Sequence, residues 1–199
     1  MEIFFVRHGE PQWAVDAVTQ TDPHLTERGH AQATITAARL AALDPPLTEI
    51  LVSPATRSQE TAVPLAASTA LEPVTVAGLA EIRMPRWEGR LEDEVQRVYR
   101  AARHRSPDEW WDGLPGGESF RNFHERVTST LATELRHRGV RPDDYGRTHL
   151  WHVEKPDQRI AVVAHGGTNS VSLGWLLDLE PTPWEWERFV LGHCSLARL

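Results

Sequence analysis

Three stretches of the chain repeat one pattern: a short unbroken apolar run, a polar turn, then apolar positions at helical spacing. Ile3-Phe4-Phe5-Val6 leads into Arg7-His8-Gly9-Glu10, and a helix is predicted from about Thr26, a suitable N-cap, to about Leu43. Ile50-Leu51-Val52 leads into Ser53-Pro54 and a helix from about Ala55 to Ala67. Ile160-Ala161-Val162-Val163-Ala164 leads into His165-Gly166-Gly167 and a helix through about Leu177. Apolar runs without alternation read as strands covered on both faces, so the pattern predicts an α/β fold with a parallel sheet. Val74-Thr75-Val76, Glu187 to Leu191 and Ser195 to Leu199 are weaker strand candidates.

Between about Leu91 and Arg138 the pattern turns helical. Phe120, Phe123, Val127, Leu131 and Leu135 recur at three- and four-residue spacing, placing one stripe toward a core. Pro115-Gly116-Gly117 marks a turn before that helix. From Gly139 to Gln158 the pattern allows a β-hairpin, pairing Leu150–Val153 with Arg159–Ala164, or a mobile loop. A hairpin here offers an edge for a homodimer.

The 199 residues suit one compact domain, 1–199, with a helical insertion at about 82–138 and the hairpin or loop extension at about 139–158. The net charge of -7 argues against a general nucleic-acid or membrane-surface role, so any anion site must be a local island of positive charge. One cysteine, Cys194, rules out an intramolecular disulfide and CxxC zinc spacing; it reads as a small buried hydrophobe. No stretch has the length of a membrane span, and the first residues lack the features of a signal peptide. A cytoplasmic location is the expectation.

In open α/β sheets, ligands gather outside the carboxyl ends of the strands. Three such ends here carry Arg7 and His8, Arg57, and His165. Helix N-termini beyond the second and third, with Gly166 at the latter, favour an anion. Two guanidinium forks and two imidazoles converging there suit a phosphoryl group. A neutral imidazole can be a nucleophile, and neighbouring cations favour its neutral form; Arg7, Arg57 and His165 suit the charge on the transferred group.

Arg7-His8-Gly9-Glu10 resembles the Arg-His-Gly signature of the histidine phosphatase (phosphoglycerate-mutase-like) superfamily. Further elements follow in the family's order: Leu25-Thr26-Glu27-Arg28-Gly29 with Gln32-Ala33, then Ser53 to Ala62, then Glu81 with Trp87-Glu88-Gly89. Pro115 to Ser119 and His165-Gly166-Gly167 complete the set. The resemblance implies a three-layer αβα sandwich with a mostly parallel central sheet and a helical insertion. It implies a phosphohistidine at His8, phosphate contacts from Arg7, Arg57, His165 and Gly166, and proton transfer by Glu81, with no metal or cofactor. A small phosphorylated metabolite is the expected partner, and phosphomonoester hydrolysis the expected activity. A phosphomutase and a phosphate-binding pseudoenzyme are the alternatives. Pro11 and Ala14 stand where many members carry further phosphate contacts, and Ile82-Arg83-Met84-Pro85 departs from the mutase pattern.

Arg83 and Arg86 read either as a second anion site at the pocket mouth or as solvated charges. His149 and His152 fall on opposite faces of a strand, which argues against a metal pair. Trp110 and Trp111 are expected to pack as core, and Trp184 and Trp186 to cap the sheet or an interface.

Overall fold

The computed structural model describes residues 1–142 and 150–199. His149 lies outside the described residues. The first predicted unit forms as β1 (Glu2–Arg7), a small ribbon of β2 (Ala14–Val15) and β3 (Val18–Thr19), and α1 (Glu27–Ala41). Thr26 caps α1, its side chain accepting from the Gly29 amide at 3.0 Å. The second forms as β4 (Glu49–Val52), α2 (Thr56–Thr69) and β5 (Val74–Thr75), followed by a helical turn at Ala77–Leu79. Helices α3 (Glu92–Ala102), α4 (Pro107–Trp111) and α5 (Phe120–His137) come next. The chain ends with β6 (Val140–Pro142), β7 (Trp151–Val153), β8 (Arg159–Ala164), α6 (Gly166–Leu176), α7 (Glu185–Arg188) and β9 (Leu196–Arg198).

The main sheet runs β5-β4-β8-β1-β9, parallel throughout except for β9, which is antiparallel to β1. Alternate residues of its strands feed two cores, as the pleat requires. Phe4, Val6, Ile50, Val52, Ala161 and Val163 meet Ala37 and Leu40 of α1 and Ala62 and Leu65 of α2. Ile3, Phe5, Leu51, Ile160, Val162 and Ala164 meet Leu131 and Leu135 of α5 and Leu173 of α6. The result is a three-layer αβα sandwich, and the unbroken apolar runs are explained by a helix layer on each face. All five residues of the α5 stripe are buried.

Two expectations are corrected. Strand β7 pairs antiparallel with β6 (Arg141 opposite His152), while β8 lies between β1 and β4. An unbroken apolar strand gains more in the sheet centre, covered on both faces, than in a surface hairpin. Glu187 to Leu191 is not a strand. Local bonds close a helical turn there instead: Glu187 N donates to Trp184 O at 2.8 Å and Phe189 N to Glu185 O at 3.0 Å.

Candidate active site

The sheet brings the ends of β1, β4 and β8 side by side. Arg7 lies in register with Ala164, and the His8 amide donates to Ala164 O at 2.9 Å. His165 follows β8 directly and starts α6, while Ser53 follows β4 and Arg57 lies in the first turn of α2. Sequence positions more than a hundred residues apart thus share one deep cavity of about 1600 Å³, whose lining includes Arg7, His8, Arg57, Glu81 and Gly166.

His8, Arg57 and His165 are all buried, at 2%, 6% and 0% exposure, so their hydrogen bonds define their states. His8 Nδ1 lies 2.7 Å from Gly9 O, a contact only an N–H can satisfy. The proton therefore sits on Nδ1, leaving Nε2 with a lone pair, and Arg57 Nε donates to that Nε2 at 3.3 Å. Arg57 Nη2 lies 3.1 Å from His165 Nδ1, which makes Nδ1 the acceptor. The His165 proton is then on Nε2, donated to Ser53 Oγ at 2.7 Å. The two rings meet edge-on with centroids 5.1 Å apart.

Burial, and then the charges of Arg57 and Arg7, push the His8 pKa down to about 3 against the pull of the Gly9 carbonyl. Burial and the same two cations hold His165 well below its ordinary value. Burial also lowers both guanidinium groups, while the Glu81 carboxylate raises them. Arg7 Nη1 donates to Leu191 O at 2.6 Å, and its buried Nε has no hydrogen-bond partner among the described residues. A buried donor without a partner is costly unless a ligand accepts from it.

These shifts carry a stability consequence. The unfolded chain binds protons at His8 below its ordinary pKa of 6.5, and the folded chain does not until about pH 3. The unfolded state therefore binds more protons across that window, and stability falls as pH falls, by up to about 1.4 kcal/mol per pH unit for each such histidine. Urea unfolding of His8→Asn between pH 6.5 and 4 is expected to show a shallower decline than the parent. An unchanged slope would contradict the buried neutral state.

Glu81 reaches the site from the loop after Ala77–Leu79. Its carboxylate accepts from Gly167 N at 2.9 Å, Ile82 N at 3.1 Å and Thr168 Oγ1 at 3.4 Å, which sets it at the start of α6. A Cβ on Gly167 would lie 2.5 Å from Glu81 Oε1, so only glycine permits this approach. The loop itself is pinned by Arg126, which donates to the carbonyls of Gly78 and Ala80 (both 2.9 Å) and Glu81 (3.3 Å). Arg126 is fixed in turn by a two-pronged pair with the buried Glu118 carboxylate, at 3.0 and 2.8 Å.

The helix starts are used differently from the sequence expectation. The Gly167 amide is taken by Glu81, and the Thr56 amide at the start of α2 is taken by Asp22, at 2.9 and 3.2 Å. Asp22 also lies 3.5 Å from Arg57 Nη1, and the Trp13 ring covers the Arg57 guanidinium at 4.9 Å. Asp22, Ser53, Arg126 and Trp13 are site residues to which the sequence assigned no role.

Of the two candidate cations at the mouth, Arg83 lines the cavity and lies 4.0 Å from Glu118. Arg86 is not among the lining residues: Trp87 turns inward at 8% exposure and leaves Arg86 on the outside. Trp110, Trp184 and Trp186 line the cavity, Trp186 also packing on the Phe120 ring at 5.4 Å, while Trp111 packs against the Phe120 and Phe123 core. Cys194 packs with Leu25 and Ala33, as a small buried hydrophobe. Among the described residues, no three His, Cys, Asp or Glu side chains gather as a metal-ligand set. Nor is any described helix long and apolar enough to cross a membrane.

His8, two arginines and Glu81 thus line one cavity at the strand ends, with His165 buried behind them. Residues 3–199 match the family model of the histidine phosphatase superfamily (branch 1), and the chain belongs to that superfamily. Over its full length it is 28% identical to a protein of Salmonella choleraesuis named "Probable phosphoglycerate mutase GpmB", covering 84% of that protein. It is similar to a mycobacterial glucosyl-3-phosphoglycerate phosphatase solved with inorganic phosphate, at 26% identity and a TM-score of 0.70, over 99% of this chain and 88% of that one. The alpha-ribazole phosphatase of Shigella flexneri shares the fold, with 23% identity and a TM-score of 0.74, over 100% and 89% of the two chains. The chain is an enzyme of the phosphatase kind within this superfamily, a phosphoric monoester hydrolase.

Proposed function

We propose that the protein hydrolyses a small-molecule phosphomonoester in two displacements, with His8 Nε2 carrying the phosphoryl group between them. The observation that carries this reading is the state of His8: buried, neutral, protonated on Nδ1 by its bond to Gly9 O, with Nε2 turned to the Arg57 fork. The nucleophile is ready without a base to deprotonate it.

In the first displacement, Nε2 attacks phosphorus and the ester P–O bond breaks. The free Arg7 Nε and the Arg57 fork hold the equatorial oxygens, with the Gly166 backbone lining the same floor. Arg57 exchanges its neutral partners, His8 and His165, for charged oxygens, which are stronger acceptors. His165 joins the donors if its proton moves to Nδ1, and the Ser53 hydroxyl accommodates that change by rotating to donate to Nε2. Glu81 enters this step protonated, gives that proton to the leaving alkoxide and is left as the carboxylate. In the second displacement it takes a proton from the attacking water, which breaks the P–N bond and restores His8.

Glu81→Gln tests the acid role. With alkyl phosphates, kcat is expected to fall by about 10²- to 10⁴-fold. With nitrophenyl phosphate, whose leaving group departs without a proton, the first step is expected to be nearly unaffected in the burst phase. An equal loss of burst rate with both substrates would reduce Glu81 to a positioning role.

A phosphomutase is the second reading, favoured by the name of the Salmonella relative. Transfer stimulated by a bisphosphate primer, without release of inorganic phosphate, would select it. The phosphatases among the similar structures, named for a glucosyl-phosphoglycerate and an alpha-ribazole ester, support a small phosphorylated metabolite as substrate.

A further inference from the structure

We infer that the leaving group this enzyme accepts is a large, planar, largely uncharged one, an aromatic or polycyclic alcohol rather than a compact anionic sugar acid. The inference rests on the hydrolase reading and concerns the part of the cavity beyond the phosphate floor.

Size is the first observation. At about 1600 Å³, the cavity exceeds the ~300–1,000 Å³ common for small-molecule sites, and the phosphoryl group fills only its floor. Its walls are the second. Five of the eight tryptophans line this one cavity: Trp13, Trp87, Trp110, Trp184 and Trp186. Trp110 and Trp184 meet edge-on at 6.3 Å, each only half-buried. The two come from separate segments, α4 and the residue before α7, so the wall is assembled by the tertiary fold. Met84 and Val190, 39% and 82% exposed, extend the apolar surface to the rim. Half-covered indole faces beside exposed aliphatic groups are costly in water and are recovered when a planar apolar group covers them.

Charge is the third observation, and it separates this class from sugar acids. The strong cations sit at the floor, where the phosphoryl group takes them. Higher up, Arg83 faces Glu118 at 4.0 Å, and Arg105 donates to Gly113 O at 2.6 Å while lying over the Trp110 ring. Arg103 also lines the cavity, together with the carboxylates of Glu92 and Glu187. Three cations, Arg83, Arg103 and Arg105, and three carboxylates, Glu92, Glu118 and Glu187, thus share the upper walls, so no excess of positive charge among the lining residues there selects a second carboxylate.

The test uses non-hydrolysable ligands with one phosphorus head and three tails: naphthylethylphosphonate, ethylphosphonate and carboxyethylphosphonate, titrated by calorimetry. Naphthylethylphosphonate is expected to bind at least about tenfold more tightly than either of the others. Trp110→Ala and, separately, Trp184→Ala are expected to narrow that gap. Equal affinities, or tightest binding by the carboxylate tail, would overturn the inference. Turnover of naphthylethyl phosphate and ethyl phosphate, whose leaving alcohols are similarly basic, separates the two claims. Hydrolysis of both at equal kcat/KM leaves the hydrolase and removes the aromatic preference. Tight naphthyl binding without phosphate release keeps the preference and removes the hydrolase.

Discussion

His8→Ala is expected to lose phosphate release by at least about a thousandfold with every substrate, together with all acid-labile labelling of the protein. The expectation follows from the lone pair. His8 Nε2 is the imidazole nitrogen at the floor that faces the Arg57 fork, while the His165 ring turns an acceptor Nδ1 to Arg57 and is tied through Nε2 to Ser53. His165 cannot substitute, because it is fully buried with both ring nitrogens bonded, to Arg57 and to Ser53, and unlike His8 it does not line the cavity. Binding of inorganic phosphate to His8→Ala is expected to survive, since Arg7 and Arg57 remain. Loss of binding and turnover together would mean that the variant had lost the site rather than the nucleophile, and near-parental turnover would contradict the assignment.

Arg57→Lys is the second large effect, a loss of kcat/KM on the order of a hundredfold to a thousandfold. The substitution keeps the charge, so simple Coulomb attraction predicts little change. The geometry predicts otherwise. Arg57 spreads three donors over three partners at once: Nε to His8, Nη2 to His165 and Nη1 toward Asp22. A lysine ammonium is a point charge that cannot span that fork. Steady-state kinetics alongside phosphate titration should show most of the loss in kcat, because the fork matters most when charge spreads over the equatorial oxygens. A variant that falls only in affinity would show Arg57 acting as a plain counter-charge.

The parts of the fold legible in the sequence were those with one structural solution. Phe4 and Phe5 are both buried yet face opposite cores, and an unbroken apolar run of that kind has few homes other than a strand under two helix layers. The Phe120 to Leu135 stripe left equally little choice. Residues 187–191 failed because the short apolar run Phe189-Val190-Leu191 carries no sign of the helical turn that precedes it. Glu185 is buried, at 1% exposure, where its carboxylate accepts from Thr182 N at 2.9 Å and helps to close a helical turn. In β7, three residues carry too little pattern to name a partner.

The site divided in the same way. His8, Arg7, Arg57 and His165 follow strand ends, whose convergence is a rule of parallel sheets. Asp22, Arg126 and Trp13 act through contacts between segments far apart in sequence: Asp22 reaches Thr56, and Arg126 reaches Gly78, Ala80 and Glu81. Arg126 lies in a polar position of an amphipathic helix, where a charge ordinarily faces solvent. Nothing local marks Glu118 as buried beneath it. Of the neighbouring pair expected as core, Trp111 packs against Phe120 and Phe123 while Trp110 turns to the cavity, because residue type says that tryptophan is buried without saying against what.

The central claim is that the phosphoryl group rests on His8 between two displacements. The most direct test is the stereochemical course at phosphorus, using a chiral, oxygen-isotope-labelled phosphorothioate monoester hydrolysed in labelled water. Two in-line displacements, the first by His8 and the second by water, predict overall retention of configuration. Inversion would show water attacking the substrate directly and would contradict the account.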